Sequence, residues 1–345
     1  MGARRRQYGA QRSPGDVLEE ARPGALTVGK VLTCKVRKGS PVIDVLSIVL
    51  GIGLLYGGGE LLVRFASSLA LRFRLSPLVI GLTVVAFGTS APELAATLTA
   101  SLNGAEAIAV GNVVGSNIAN VGLILGLAAL LLPIAIQKSV LQREMPVMIG
   151  ASVLPLLFFA DGALGRLEGG VLFALLLAYL VWMLRTPNED DAPDDLDLYP
   201  LWLTLTGIVG GLVLLVLGAQ VLIAGATSLA LAFGVPERIV GLTLVAVGTS
   251  LPELASSLVA VLKRETDMVL GNIIGSNIFN VLCILGVTSL VTPLALPFAA
   301  LRLDFLVMLA FAVLTFIFLL TQRKLERWEG GVLVLAYALY AAWLF

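Results

Sequence analysis

"GTSAPELAATLTAS" occupies Gly88–Ser101, and "GTSLPELASSLVAV" occupies Gly248–Val261. Each sets a proline and a glutamate inside an apolar stretch of the kind that crosses a membrane. An unpaired carboxylate at mid-bilayer costs roughly 2.5 kcal/mol or more. A proline removes one helical hydrogen bond and crowds the preceding turn. A chain that accepts both penalties twice, 160 residues apart, has a use for the break and for the charge.

Working outward, the 345 residues are 58% hydrophobic and 13% charged, with a mean hydropathy of +0.97. A soluble protein carries about 25% charged residues, so the composition is that of a polytopic membrane protein whose partner is the lipid bilayer. The formal net charge is zero, and no aromatic-and-basic stripe is present, so no nucleic acid partner is expected. There is no histidine, which removes the commonest metal ligand and the usual general base. Cation chemistry must fall to carboxylates, hydroxyls, amides and carbonyls. Of the two cysteines, Cys34 lies in the N-terminal tail and Cys283 in an apolar span, so no bridge is expected. Residues 1–40 hold nine Lys+Arg and three Asp+Glu and lack the apolar run of a signal peptide. They read as a disordered basic tail, or as an extension from a misassigned start.

A spanning helix needs about 20 mostly apolar residues. Ten stretches qualify, near 42–63, 77–102, 107–132, 140–160, 167–185, 199–222, 237–262, 267–292, 301–321 and 328–345. The acidic segment 186–198 separates five spans, within 41–185, from five more, within 199–345. With the tail left out, alternate connections hold eleven basic residues against three, Arg166, Arg238 and Arg302. The excess marks the cytoplasmic side. It predicts a cell (inner) membrane protein with both termini outside and the 186–198 linker in the cytoplasm.

Gly81–Gly126 aligns without a gap on Gly241–Gly286, with 26 of 46 pairs identical. "LLVRFASSLALRF" (Leu61–Phe73) matches "VLIAGATSLALAF" (Val221–Phe233), and "RLEGG" (Arg166–Gly170) recurs as "RWEGG" (Arg327–Gly331). Five spans per repeat is an odd number, so the second repeat starts on the opposite side of the membrane. The predicted fold is therefore an all-α integral membrane protein. Its ten transmembrane helices form two inverted five-helix repeats, with helices 2 and 7 broken.

Pro92 and Pro252 free the carbonyls of Gly88 and Gly248 from their helical partners. Unwound backbone at membrane depth is tolerated where it is buried in protein or lines a cavity. Thr89 and Ser90 precede Glu93 by four and three residues, so one helix face can hold all three; Thr249, Ser250 and Glu253 repeat the spacing. In "GNVVGSNIAN" (Gly111–Asn120) and "GNIIGSNIFN" (Gly271–Asn280), Ser116 lies four residues before Asn120 and Ser276 four before Asn280. The glycine pairs Gly111/Gly115 and Gly271/Gly275 are small-residue faces that allow close helix approach. The oxygen-rich set suits Ca²⁺ or Na⁺ rather than Zn²⁺ or Cu. No Lys or Arg lies in 81–126, and in 241–286 Lys263 and Arg264 sit at a loop, so Glu93 and Glu253 are each protonated or balanced by a bound cation. Two carboxylates balance one Ca²⁺ or two monovalent ions, which is the physical basis of an antiporter.

These residues resemble the signature of the Ca²⁺/cation antiporter superfamily, in particular bacterial calcium/sodium antiporters of the sodium/calcium exchanger type. The resemblance covers about 42–345. It implies a non-enzymatic Na⁺/Ca²⁺ exchanger with transported ions and no cofactor, and with the N-terminus outside. It implies a cation cluster of Glu93 and Glu253 with Thr89, Ser90, Thr249, Ser250, Ser116, Asn120, Ser276 and Asn280, joined by the carbonyls of Ala86 and Ala246. Some relatives, including potassium-dependent exchangers, carry Asp where this chain has Asn280, which argues against K⁺ cotransport.

Other readings of the same residues stay in view. Proton-coupled Ca²⁺ exchange would use the same glutamates. An intramembrane hydrolase built on Ser90 or Ser250 would lack a base, and a channel would not explain paired broken helices. Glu60 has a structural partner in Arg64, four residues on. Glu168 and Glu329 start helices, where a carboxylate favours the helix dipole, and Glu144 and Asp304 read the same way. The serines and asparagines of the second motif could instead bond helix to helix, and Asn112 and Asn272 stand between the two roles. The acidic linker is read as solvated. The expected oligomeric state is a monomer or a weak homo-oligomer.

Overall fold

The computed structural model describes residues 41–186, 198–235 and 248–344. The tail 1–40, most of the 186–198 linker, Ala246 and the first part of the 237–262 stretch lie outside the described residues. The chain is helical, in the order α1 (Pro41–Phe73), α2 (Pro77–Thr89), α3 (Ala91–Leu102), α4 (Glu106–Leu131), α5 (Val140–Phe158), α6 (Arg166–Arg185), α7 (Leu201–Ala232), α8 (Leu251–Leu262), α9 (Thr266–Val291), α10 (Phe298–Gln322) and α11 (Arg327–Leu344). Among the described residues, seven helices are long and apolar enough to cross a membrane, and eight if the bent pair α2–α3 counts as one span. Of the ten expected stretches, the two outside this count are α8, a short apolar helix, and α11, whose first turn is charged.

Two helices overrun their expected ends. α1 continues past residue 63 to Phe73, and α7 continues past 222 to Ala232. At 1.5 Å per residue, each is about 50 Å long, well beyond a hydrocarbon core of about 30 Å. They pack along each other through small residues. A Cβ placed on Gly58 would stand 2.8 Å from the carbonyl oxygen of Gly211, and one on Gly211 2.8 Å from the amide of Leu62. Only glycine allows backbones that close.

The remaining core is built by the same device. A Cβ on Gly271 would collide with the Leu78 carbonyl, and one on Gly275 would meet the Leu82 carbonyl at 2.7 Å. The small-residue face of α9 is thus where it crosses α2. The residues equivalent to Leu78 and Leu82 in the second repeat are 238 and 242, outside the described residues. Among those that are described, nothing lies within 4 Å of a Cβ on Gly111 or Gly115.

Short antiparallel pairs join the connections. β1 (Ile134–Ala135) pairs with β4 (Lys324–Leu325), and β2 (Ala163–Leu164) with β3 (Leu294–Ala295). The registers Ile134↔Leu325 and Leu164↔Leu294 exchange under the repeat. One end of the molecule is laced together by polar contacts. Ile136 N donates to the Arg323 carbonyl at 3.0 Å, Gln137 Nε2 to Asp267 at 2.9 Å, and Arg72 Nη2 to the Tyr199 carbonyl at 2.7 Å. The expected Glu60–Arg64 pair forms at 3.1 Å, and Lys263 joins Glu60 at 2.6 Å. A cavity of about 240 Å³ beside this triad is lined by Arg64, Ser67, Lys263 and Glu265 among others. Burial raises the pKa of Glu265, Asp267 adds to the rise, and Lys263 opposes it.

Backbone conformation follows the same division. Arg74, Arg264 and Arg323 have φ of 53°, 61° and 50°. Their repeat equivalents are glycines, Gly234, Gly104 and Gly162, with φ of 81°, 71° and 93°. A left-handed residue closing a helix favours glycine, and each arginine sits there at a cost of about 1–2 kcal/mol.

The helix-start carboxylates are engaged as structural groups. Glu329 accepts from the Glu326 amide at 2.7 Å. Tyr179 donates to Glu144, and Tyr340 donates to Asp304 at 2.9 Å, so each pins a span start to a neighbouring helix.

Candidate functional site

The break between α2 and α3 bends the chain by 43° at Ser90, whose backbone stands at φ −83°, ψ 3°. Ser250 takes the same conformation before α8, at φ −89°, ψ 6°. Pro92 and Pro252 fall in the first turn of the helix that follows, where a missing N–H costs least. Pro92 thus stands where α2 ends and α3 starts.

Glu93 and Glu253 sit on the first turns of α3 and α8, each only 1% exposed. Thr89, Ser90 and Glu93 were expected to act on one face within a repeat. The hydrogen bonds of the two serines run between repeats. Ser90 Oγ donates to Glu253 Oε1 at 3.1 Å, and Ser250 Oγ is 3.2 Å from Glu93 Oε1. Ser250 also lies 3.3 Å from the Ser116 hydroxyl.

The threonines are engaged in the same crossed manner. Thr89 Oγ1 is 3.2 Å from Asn272 Oδ1, and Thr249 Oγ1 is 3.4 Å from Asn112 Oδ1. Each of these asparagines then holds the helix after the break in its own repeat. Asn112 Nδ2 donates to Thr97 at 3.0 Å, and Asn272 Nδ2 donates to Ser257 at 3.0 Å and Ser256 at 3.2 Å. The Ala86 carbonyl receives the Ser90 amide at 3.0 Å.

Asn120 opens a wide π-helical turn, Asn120–Leu125 in α4, and Asn280 opens its equivalent, Asn280–Leu285 in α9. The first turn packs against α8, which bears Glu253, and the second against α3, which bears Glu93. Such turns occur at functional sites, where they re-aim a side chain without ending the helix. Sequence reasoning passed over Asn117 and Asn277, which hold Asn280 and Asn120 at 2.9 Å and 3.2 Å. Their identity across the 160-residue offset was the available signal.

Among the described residues, five buried oxygens of this set have no hydrogen-bond partner: Glu93 Oε2, Glu253 Oε2, Asn120 Oδ1, Asn280 Oδ1 and Ser276 Oγ. Four of them form two repeat-related pairs. Buried acceptors without partners are costly, and oxygen acceptors of this kind suit a hard cation. Among the described residues, no group of three acidic, histidine or cysteine side chains comes together, so neutral oxygens would have to complete a coordination shell.

The comparisons with known proteins agree on the family. The profile of the sodium/calcium exchanger protein family matches residues 43–185 and 203–345. CaxA of Alkalimonas amylolytica is 40% identical over 312 residues, covering 86% of this chain and 97% of its own. The sodium/calcium exchanger MaX1 of Methanosarcina acetivorans is 34% identical, covering 88% and 99%. The solved structure of the sodium-calcium exchanger NCX_Mj superposes with a TM-score of 0.77 at 33% identity, over 87% of this chain and 98% of that one. With two matched halves, apolar spans and a fold shared along almost its whole organised length, this chain is a multi-pass membrane antiporter and belongs to the sodium/calcium exchanger family.

Proposed function

We propose that the protein exchanges Na⁺ for Ca²⁺ by alternating access at one site between its repeats. Glu93 and Glu253 supply the charge that balances one Ca²⁺ or two Na⁺. Thr89, Ser90, Thr249, Ser250, Ser116, Ser276, Asn120 and Asn280 supply neutral oxygens, with the Ala86 and Ala246 carbonyls beside them. The observation that carries the reading is the reciprocal engagement of Ser90 with Glu253 and Ser250 with Glu93, which leaves one oxygen of each buried carboxylate unpartnered. A site made jointly by two repeats changes shape when the repeats move against each other, which is what alternating access requires.

The same reading takes the chain as ten spans in two inverted repeats, with the termini outside the cell membrane and the 186–198 linker in the cytoplasm. Support comes from the paired registers and from the end laced together by Arg72, Gln137, Asp267 and Arg323, which is also the arginine-rich end. No interface with a second copy is needed to complete the site, so it is expected to work as a monomer or a weak homo-oligomer.

The test is Ca²⁺ uptake into proteoliposomes under an imposed Na⁺ or H⁺ gradient. Uptake driven by outward Na⁺ at clamped pH supports Na⁺ coupling. Uptake driven by the H⁺ gradient alone would replace it with proton coupling at the same glutamates. No gradient-driven Ca²⁺ movement would sink both.

A further inference from the structure

An amide is an ambiguous cation ligand. Its oxygen and nitrogen ends have nearly the same shape, and only the oxygen can face a cation. A carboxylate has no such ambiguity, because either oxygen serves. A site that uses Asn120 and Asn280 therefore needs something to decide which way each amide points.

The deciding contacts run across the repeat interface. Asn280 Nδ2 donates to Asn117 Oδ1 at 2.9 Å, and Asn120 Nδ2 donates to Asn277 Oδ1 at 3.2 Å. The holders are themselves oriented by groups that can only accept. Asn117 Nδ2 faces the backbone carbonyl of Asn277 at 3.3 Å and the Met308 sulfur at 3.4 Å. Asn277 Nδ2 faces the Met148 sulfur at 3.6 Å. A thioether cannot donate, so the nitrogen of the holder points at it and the oxygen points away, toward the next amide. That amide must then turn its own nitrogen inward. The outcome is the one observed: Oδ1 of both Asn120 and Asn280 is buried without a partner.

We propose that Asn117 and Asn277 are positioning residues that fix the amides of Asn280 and Asn120 so that both present oxygen to the transported cation. The proposal rests on the reading of Asn120 and Asn280 as ligands. Each repeat orients the ligand of the other. An aspartate at 280 would need no orienting partner, whereas this pair of amides does.

A double-mutant cycle tests it, with Ca²⁺ binding to the purified full-length protein measured by equilibrium dialysis. Asn117→Leu keeps similar volume and removes the acceptor. It should weaken Ca²⁺ binding about tenfold, the scale of one lost orienting hydrogen bond. In an Asn280→Asp background the same change should cost less than about twofold, because a carboxylate needs no orientation. The mirror cycle, Asn277→Leu with Asn120→Asp, should behave alike. An equal loss in both backgrounds, or failure to fold in both, would make Asn117 a packing residue and overturn the proposal. Asn280→Leu separates the two layers. If it leaves Ca²⁺ affinity unchanged, the ligand reading falls and the proposal with it. If it weakens binding while Asn117→Leu does not, the orientation claim alone is wrong.

Discussion

Ser90 donates its hydroxyl to Glu253 across the repeat interface at 3.1 Å, and does not turn to Glu93 on its own chain segment. With the mirror contact from Ser250 to Glu93 at 3.2 Å, each repeat completes the acid of the other. The centre therefore exists only while both repeats are in register, and any motion of one against the other remodels it.

Neutralising either acid should stop exchange without unfolding the protein. Glu93→Gln and Glu253→Gln keep the side-chain volume and remove the charge that a desolvated cation needs. Losing one partner of a buried ionic contact costs about 3–5 kcal/mol, so Ca²⁺ flux should fall at least about 100-fold. Flux in vesicles and elution as a single species from size exclusion check this together. Wild-type flux in the double variant would exclude these glutamates.

Exchange should not need K⁺. Asn280 stands where some relatives carry an acid, and Asn120 is its repeat mate, so among the described residues the centre lacks a third carboxylate for an additional cation. Na⁺/Ca²⁺ exchange should run equally with K⁺ or choline present at clamped voltage, and Asn280→Asp should shift cation preference. A strict K⁺ requirement would show the argument from Asn280 to be wrong.

The two motif helices should end on opposite sides of the membrane. Asn103 follows α3, and Arg264, which occupies the equivalent of Gly104, follows α8. Cysteine at Asn103 should react with an impermeant thiol reagent in sealed cells, in a background lacking Cys34 and Cys283, and cysteine at Arg264 should not. Equal labelling would defeat the inverted topology. Labelling of 264 alone would mean the array is flipped, with the basic tail setting the orientation.

Glycine should stabilise the arginine turns. Arg74→Gly, Arg264→Gly and Arg323→Gly each relieve a left-handed non-glycine residue, which should add about 1 kcal/mol per site, less what the charge gains from the helix C-terminus. The reverse change, Gly104→Arg, should destabilise by a similar amount. Thermal unfolding in detergent measures both; a lower melting temperature for Arg264→Gly would mean that the arginine makes a contact stronger than the strain.

How much of this was legible beforehand depends on the kind of force involved. Hydropathy and periodicity belong to single segments, so the helical membrane fold and the two prolines as break points could be read from the chain alone. The 160-residue identity likewise exposed the duplicated site residues. Partner choice is another matter. Sequence spacing suggested that Thr89, Ser90 and Glu93 act together, because helical periodicity brings i, i+3 and i+4 to one face. The structure adds that Ser90, at the 43° bend, bonds Glu253 of the other repeat, a contact no spacing within one repeat could reveal. Glu60 showed the same limit, since Arg64 was visible four residues away while Lys263 arrived through packing alone. Asn117 and Asn277 were invisible as holders because their role lies in which end of an amide faces which neighbour. The sequence by itself determined which oxygens are available in the membrane. The tertiary structure decided which are already used in hydrogen bonds and which remain free for an ion, because that depends on contacts between segments that no local pattern records.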